Sequence, residues 1–381
     1  MSHMEKSAAW LDTSYEKLLE KMKAQCGRVG TSIPYFPYGG HYRDCMMPDG
    51  ISWWTNGFWP GMLWQMYHAT GDECYRQTAE GVELRLEEAL RDFNKLHHDV
   101  GFMFQLSAVA NYRMTGNSDS LRRGLHAANL LAGRFNPTGN YIRAWNESRW
   151  KEDVSGWMII DSLLNIPLLY WASEVTADPR FADIATRHAN TALTTLLRPD
   201  GSCNHIAEFD SKTGEFLNGV GGQGYGDGSS WSRGQSWAVY GYALAYRYTQ
   251  DERFLNAAKN CAHYCISNLA VSDWLPLVDF RAPAEPVKYD SGAAVIIACG
   301  LLELERHLPE LERTLYHEAA VRMLMACDEK FADWNPDTDG ILGGGTTMYH
   351  DSRLANMAFI YGDYFFAEAL LRLKSKHFLI W

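Results

Sequence analysis

The sequence predicts an all-α protein, built as a double-layered (α/α)6 barrel of six inner and six outer helices. Six apolar segments rich in small residues open with Gly or Ser, and most of them are apolar on nearly every face. Helices with this pattern are surrounded by other helices. Several of the segments run into a short polar turn and then into a more amphipathic stretch, so buried and half-exposed helices alternate along the chain.

The inner helices are expected in chain order. The six apolar segments begin at Gly57, Gly101, Gly156, Gly234, Ser291 and Gly362. The segment that begins at Gly156 contains Asp161, and we expect Pro167 to bend this helix. Strand-like alternation is scarce, with short candidates at 203–209 and 274–280.

The outer helices follow four polar turns. Each turn ends in an Asp or Asn whose side chain can accept hydrogen bonds from the free amides of the next helix. These expected N-caps are Asp72, Asn117, Asp178 and Asp251. Since the inner helices would run parallel, the segments that precede them should gather at one end of the barrel. Polar and aromatic residues concentrate in those segments, which predicts a site assembled there from distant parts of the chain.

Length and charge set further limits. With 381 residues and 46% hydrophobic residues, the chain can bury a large core, and we expect a single barrel domain over 1–381. Residues 1–10 look like an expression-vector remnant with a disordered or peripheral start. The net charge of −11 argues against nucleic acid as a partner. No apolar run reaches the roughly 18 residues of a membrane span, so no membrane partner is expected.

The cysteine and aromatic content bears on compartment and ligand. Eight cysteines are scattered without a CxxC pair, which favours a reduced, cytoplasmic protein. A periplasmic location stays open if a signal peptide was removed. The 14 Trp, 20 Tyr and 16 Phe residues suit a sugar-binding cleft as well as a core. Monomer and dimer are equally compatible with the sequence.

Two carboxylates lie where helices should bury hydrocarbon, which is costly without a partner, a proton or a task. Asp99 follows His97 and His98, and its simplest interpretation is an N-cap that accepts a backbone amide hydrogen bond. Asp161 lies in an apolar run. It is either a buried residue that serves helix packing, or a carboxyl whose pKa is raised by desolvation so that it can act as a general acid.

Three patterns imitate cofactor sites without meeting their requirements. The glycine-rich stretch 221–228 lacks the GK[ST] of a phosphate-binding loop, so we interpret it as a flexible rim loop. The stretch 335–340 begins like a calcium loop, but its twelfth position is Thr346 instead of Glu. His97 and His98 lack a third ligand at a telling spacing. No metal and no cofactor are predicted.

Five blocks of sequence together resemble the unsaturated glucuronyl hydrolases of glycoside hydrolase family 88. The blocks are Trp54-Thr55-Asn56-Gly57-Phe58-Trp59, His97-His98-Asp99-Val100-Gly101-Phe102, Ile160-Asp161-Ser162-Leu163-Leu164-Asn165, the run 227–237 and the run 361–373. They occur in the family's order and span essentially the whole chain after about residue 45. The family's fold is an (α/α)6 barrel, in agreement with the helix pattern.

The resemblance implies a hydrolase that acts on the products of polysaccharide lyases. Such an enzyme removes the 4,5-unsaturated uronic acid from the non-reducing end of an oligosaccharide by hydrating its vinyl ether double bond. The resulting hemiketal opens and expels the neighbouring sugar. Asp161 matches the family's general acid/base, and Asp99 matches the second essential carboxylate, whose negative charge would help to keep Asp161 protonated.

The resemblance also implies a set of substrate-binding residues. Ring-stacking positions are matched by Trp54, Trp145 and Trp237. Polar positions near the substrate and the catalytic water are matched by His205, Gln223 and Arg233, and Arg233 is the candidate for the uronate carboxylate. His98 is expected to line the same pocket. The region around His350 influences tolerance of sulfate in relatives, and this chain lacks the SxxSxK arrangement there.

Three alternatives stay open at this point. The first is an unsaturated rhamnogalacturonyl hydrolase, which performs the same hydration on pectin fragments. The second is an isomerase like the N-acylhexosamine 2-epimerases, which share the barrel but need histidines poised for proton exchange. The third is a non-catalytic carbohydrate-binding protein, in which Asp161 would have no task.

Overall fold

The helices of this chain alternate between two layers. The computed structural model describes residues 3–381. Its helices are α1 (His3–Val29), α2 (Phe58–Thr70), α3 (Glu73–Arg91), α4 (Val100–Phe104), α5 (Ala110–Thr115), α6 (Ser118–Ala132), α7 (Pro167–Thr176), α8 (Pro179–Thr195), α9 (Ser232–Thr249), α10 (Glu252–Leu269), α11 (Ser291–Leu304), α12 (Glu310–Phe331) and α13 (Ile360–Leu373). A π-helical segment, Gln105–Val109, joins α4 to α5, so these two form one interrupted helix.

The inner layer is a closed ring. Along the ring, α2 contacts the α4–α5 helix, which contacts α7, and contacts continue through α9, α11 and α13 back to α2. Every residue of α11 is buried, and so is every residue of α13 from Ile360 to Arg372. This burial on all faces explains the absence of a polar stripe in the sequence of these helices.

The outer layer consists of α1, α3, α6, α8, α10 and α12. The four expected caps are confirmed, because the side chains of Asp72, Asn117, Asp178 and Asp251 each accept a backbone N–H in the first turn of the following helix. Together with the inner ring, the described residues form six inner and six outer helices, as the sequence predicts.

Helix α1 completes the outer layer. It packs against α12 and α13, and the Trp10 indole donates a hydrogen bond to Asp328 Oδ2 at 2.7 Å. Residues 3–10, for which a disordered or peripheral start was expected, begin α1 and so lie in the outer layer. Met1 and Ser2, the first two residues of the expected vector remnant, lie outside the described residues.

The strands are short and lie in the connections: β1 (Pro37–Tyr38), β2 (His41–Tyr42), β3 (Phe135–Asn136), β4 (Tyr141–Ile142), β5 (Trp157–Ile159), β6 (Ile206–Phe209) and β7 (Phe216–Val220). The first four form two hairpins, and β5, β6 and β7 form one antiparallel sheet in that order. In this sheet Trp157 pairs with Glu208, and Ile206 pairs with Val220. The strand candidate at 203–209 is thus confirmed in β6, while 274–280 contributes only isolated bridges within the described part of the chain.

The expected helix from Gly156 is wrong. Strand β5 occupies this position, a 3-10 turn over Ile160–Leu164 follows, and α7 begins only at Pro167. Pro167 therefore starts a helix instead of bending one, as its missing N–H allows. A Cβ at residue 156 would lie 1.9 Å from the Phe209 carbonyl oxygen, so Gly156 permits the close strand approach. Asp161 consequently lies in a tight turn and not in a helix.

One apolar core runs from Tyr15 to Trp381 and includes residues of both layers. On this basis we propose a single barrel domain. Among residues 3–381, no helix combines the length and the apolar character that crossing a bilayer requires.

Candidate active site

A cavity of about 710 Å³ opens at the end of the barrel where the inner helices begin. Its walls come largely from the segments that precede these helices, as the sequence predicts. They include Trp53, Trp54, His97, Asp99, Trp145, Asp161, Gln223, Trp231, Arg233 and Tyr361. The volume lies within the range of small-molecule sites.

Asp99 lies on the cavity floor, directly before α4. Its Oδ1 accepts a hydrogen bond from Asn165 Nδ2 at 2.9 Å, and in the described residues its side chain caps no amide of α4. The N-cap interpretation is therefore right for its position and wrong for its side chain. Burial, followed by the charge of Asp161, raises the pKa of Asp99 well above its ordinary value, although the Asn165 hydrogen bond acts in the opposite direction.

Two histidines flank Asp99. His97 Nδ1 is 3.5 Å from Asp99 Oδ2, and His98 Nε2 is 3.4 Å from Asp99 Oδ1. Burial lowers the pKa of His97 to about 3 and that of His98 well below its ordinary value. Both rings are therefore neutral near pH 7, and Asp99 has no cationic partner in them.

The expectation that His98 lines the cavity is wrong. His98 is fully buried behind Asp99, where its Nδ1 lies 2.8 Å from Ser162 Oγ. His97 lines the cavity instead. Neighbouring residues at a helix start point in different directions, and the sequence does not tell which of two adjacent histidines faces inward.

Asp161 also lines the cavity, and its side chain is 13% exposed against 9% for Asp99. Its Oδ2 lies 3.5 Å from His205 Nε2. His205 Nδ1 accepts a hydrogen bond from the Gln223 backbone amide at 3.0 Å. An imidazole whose Nδ1 accepts must carry its proton on Nε2, the ring atom that lies near Asp161.

The glycine-rich stretch holds His205 in place. Gly222 has a φ of +57°, and a Cβ there would lie 2.0 Å from His205 Nδ1. Hydrogen bonds from the Gly221 amide to Asp227 and from the Tyr225 amide to Asp279 fix the loop. The loop therefore supports His205, and Gln223 faces the cavity with its Nε2 donating to the Thr347 carbonyl at 2.8 Å.

Arg233 lines the cavity wall but is heavily engaged by the protein. Its Nη1 donates to Asp290 Oδ2 at 2.6 Å and to the Thr346 carbonyl at 2.8 Å, and its Nη2 donates to the Thr347 carbonyl. The buried Asp290 carboxylate balances its charge. Arg233 thus anchors the loop that forms the opposite wall, and its contact with a uronate stays a prediction.

The aromatic walls differ in part from the expectation. Trp54 and Trp145 line the cavity as predicted. Trp237 is fully buried in the core against Phe102, with ring centroids 5.2 Å apart, so the expectation that it stacks on substrate is wrong. Trp231, one residue before α9, faces the cavity instead.

The sequence interpretation also missed functional candidates. Asn165 contacts Asp99 through its side chain, and at the cavity mouth the missed residues are Trp150, Arg149 and Arg353. Asn165 ends the block that carries Asp161, which was the available signal. The residues at the mouth lie in connections without a periodic pattern, so the sequence offered no signal that would identify them.

His97, His98 and Asp99 also bring three possible metal-ligand atoms within 4.8 Å of one another. A carboxyl whose pKa is raised by burial holds its proton, and a protonated carboxyl is a poor metal ligand. The arrangement fits proton chemistry better than coordination. The absence of a metal stays a prediction.

Known proteins resemble this chain over most of its length. The model of the family described as Glycosyl Hydrolase Family 88 matches residues 36–299. The unsaturated glucuronyl hydrolase of Bacillus sp. (strain GL1) is 38% identical over 84% of this chain and 86% of that protein. The unsaturated chondroitin disaccharide hydrolase of Streptococcus pyogenes serotype M1 is 36% identical over 84% of this chain and 80% of that protein.

A solved structure agrees. The crystal structure of the unsaturated glucuronyl hydrolase from Bacillus sp. GL1 superimposes with a TM-score of 0.88 and 35% identity, covering 96% of this chain and 97% of that one. The shared fold and the matching family model support the same family assignment for this chain. The chain belongs to glycosyl hydrolase family 88.

Proposed function

We propose that this protein removes the 4,5-unsaturated uronic acid from the non-reducing end of oligosaccharides made by polysaccharide lyases. The observation that carries the proposal is that Asp99 and Asp161 line the same aromatic-walled cavity, with His205 Nε2 3.5 Å from Asp161 Oδ2. Membership of family 88 and the names of the relatives support the same substrate class.

The chemistry needs one group that gives a proton and later takes one. Two neighbouring carboxyls repel each other when both are charged, which favours a pair that shares one proton. We assign delivery of this proton to Asp161, because it is the more exposed of the two carboxyls that line the cavity. Its oxygen then protonates carbon 4 of the sugar, and positive charge develops at carbon 5 and the ring oxygen.

Water completes the reaction. A water molecule attacks carbon 5 and gives its proton to the Asp161 carboxylate, which restores the acid. The product at carbon 5 is a hemiketal, which opens to a ketone and releases the neighbouring sugar with a free hydroxyl. The His205 N–H stabilises the Asp161 carboxylate between the two proton transfers.

The other walls bind and orient the sugar in this scheme. Trp54 and Trp145 offer aromatic faces to the apolar faces of the rings, and the Arg233 charge attracts the uronate carboxylate. Gln223 contributes an amide next to the catalytic wall. The eight free cysteines further support a reducing, cytoplasmic compartment for the protein.

The test follows the double bond itself. The protein is incubated with an unsaturated glucuronyl disaccharide and, separately, with an unsaturated rhamnogalacturonyl disaccharide, while ultraviolet absorbance and reducing sugar are recorded. Loss of absorbance on the glucuronyl substrate supports the proposal. Loss only on the pectin-derived substrate favours the rhamnogalacturonyl alternative, and no change on either substrate excludes both.

The Asp161→Asn variant tests the acid/base assignment directly. It should lower kcat by roughly 10³-fold, the scale of a lost general acid/base, while the protein stays folded. Asp183→Asn, an exposed carboxylate on α8, is the matched control and should keep normal turnover. Normal turnover in Asp161→Asn would contradict the acid/base assignment.

A further inference from the structure

The Asn165 side chain connects the two residues of the carboxyl pair, because it hydrogen bonds to the carboxyl of Asp99 and to the backbone of Asp161. It follows the turn Ile160–Leu164 and is fully buried. Its Nδ2 donates to Asp99 Oδ1 at 2.9 Å and to the Asp161 backbone carbonyl at 3.2 Å. Its Oδ1 accepts the Phe102 amide, in the first turn of α4, at 2.7 Å.

These bonds determine which way the amide faces. The Phe102 backbone amide can only donate, so the atom of Asn165 that meets it must be the oxygen. The NH₂ group must then point at Asp99. Asp99 Oδ1 therefore accepts a hydrogen bond in either protonation state, and a proton held by Asp99 is carried on Oδ2.

The close approach is built into the backbone. A Cβ at residue 101 would lie 2.5 Å from Asn165 Cα and 2.5 Å from its Oδ1, so only glycine admits Asn165 beside α4. The same amide thus ties the start of α4, which carries Asp99, to the turn that carries Asp161.

We propose that Asn165 is a positioning residue for the hydration reaction, which fixes the two carboxyls relative to each other and directs the Asp99 proton to Oδ2. This inference deepens the function proposed above and rests on it. Asn165 acts through Asp99 and Asp161 and does not line the cavity of the described chain. Its hydrogen bond also lowers the pKa of Asp99 against the effect of burial.

Two variants test the proposal. Asn165→Ala removes the donor, and Asn165→Asp keeps the shape but places a further carboxyl beside Asp99. Both should lower kcat on the order of 100-fold, the scale of a misplaced catalytic group, with a smaller change in KM. Both should move the basic limb of the pH profile of kcat to higher pH, because Asp99 loses the bond that favours its ionised form.

Asn111→Ala is the matched control. Asn111 is also a buried asparagine that donates to a carboxylate, in this case Glu83 at 2.7 Å, but it lies on α5 away from the cavity. Its loss should lower the melting temperature without moving the pH limb. An unmoved limb in both Asn165 variants, with kcat falling only as far as the control, would overturn the proposal.

A second readout is independent of activity. Carboxyl ¹³C NMR of aspartate-labelled protein, with Asp99 assigned by its absence in Asp99→Asn, follows the ionisation of Asp99 directly. Asp99 should titrate at higher pH in Asn165→Ala than in the unaltered protein, and an unchanged titration refutes the role. Absence of turnover in the unaltered protein would count against the proposed function, while the NMR result would still decide the Asn165 contact.

Discussion

At the scale of single residues, the two carboxyls of the site have different neighbours. Asp99 lies between two neutral histidines and one amide, whereas Asp161 faces the cavity and an imidazole N–H. The sequence suggested that Asp99 would be the charged neighbour of a protonated Asp161. Burial and the charge of Asp161 raise the pKa of Asp99, so Asp99 competes with Asp161 for the proton that the proposed reaction uses.

The pH dependence of stability should reveal this proton. An unfolded Asp99 ionises near its ordinary pKa, while the folded one keeps its proton to higher pH, so its contribution to stability is lost as the pH rises through the folded pKa. Asp99→Asn mimics the neutral carboxyl and can still accept from Asn165. The free energy of unfolding of the Asp99→Asn variant should therefore increase relative to that of the unaltered protein as the pH rises from acidic to neutral.

Urea unfolding of both proteins at a series of pH values measures this difference. The same variant should lose roughly 100-fold or more in kcat, because the carboxyl that stores the proton is gone. Parallel pH curves for the two proteins would contradict the assignment of a raised pKa to Asp99.

At the scale of elements, the alternation of buried and capped helices was predictable because it follows from local rules. Caps such as Asp72 and Asp251 work through their own first turn, and an apolar run without a polar face has to be an inner element. The strand at 157–159 was not predicted, because a fully buried strand and a buried helix share the same apolar composition. Its strand partner, β6, lies far along the chain and could not be paired from the sequence.

The site residues likewise divide into features that the sequence predicted and features that it did not. The family resemblance implied Asp99, Asp161, Trp54, Trp145 and Gln223 as site residues, and all five line the cavity. The directions of individual side chains do not follow from the sequence, since they depend on the local backbone. His98 and Trp237 therefore turned out to lie in the core, while the adjacent His97 and the nearby Trp231 face the cavity.

Two glycine substitutions should separate close packing from ordinary helix propensity. Gly101→Ala places a Cβ 2.5 Å from the Asn165 backbone and should cost on the order of 1–3 kcal/mol, with loss of activity. Gly27→Ala, on the exposed face of α1, meets no atom within 4 Å among the described residues and should gain about 0.5–1 kcal/mol.

Thermal melting and turnover of both variants check this expectation. If both substitutions change the free energy of unfolding by the same small amount, the approach of Asn165 to α4 does not require glycine at position 101. Equal activity in both would lead to the same conclusion.

At the scale of the whole molecule, several imidazoles are buried in neutral form. Burial lowers the pKa of both His97 and His188 to about 3. The unfolded chain binds protons at these residues from about pH 6.5 downward, while the native state does not until much lower pH. The contribution of these two histidines to stability should therefore be complete above about pH 6.5 and decline as the pH falls toward 3.

His188 offers a measurable share of this decline. Its Nδ1 accepts the Ile142 backbone amide at 3.0 Å, and the Oδ1 of asparagine can take over that bond. His188→Asn should flatten the dependence of the unfolding free energy on pH by about 1.4 kcal/mol per pH unit between roughly pH 6 and pH 4. Chemical denaturation at several pH values tests it, and an unchanged slope would show that His188 titrates normally.

The packing of α1 against α12 and α13 joins the two ends of the chain, with consequences for the order of folding. Trp10 meets Asp328, and Asp12 meets Lys374, across more than three hundred intervening residues. Contacts of such sequence separation carry the largest loop-closure entropy and form late. We therefore expect a folding intermediate in which the helical hairpins are stacked in an open arc. In the last step α1 packs against α12 and α13.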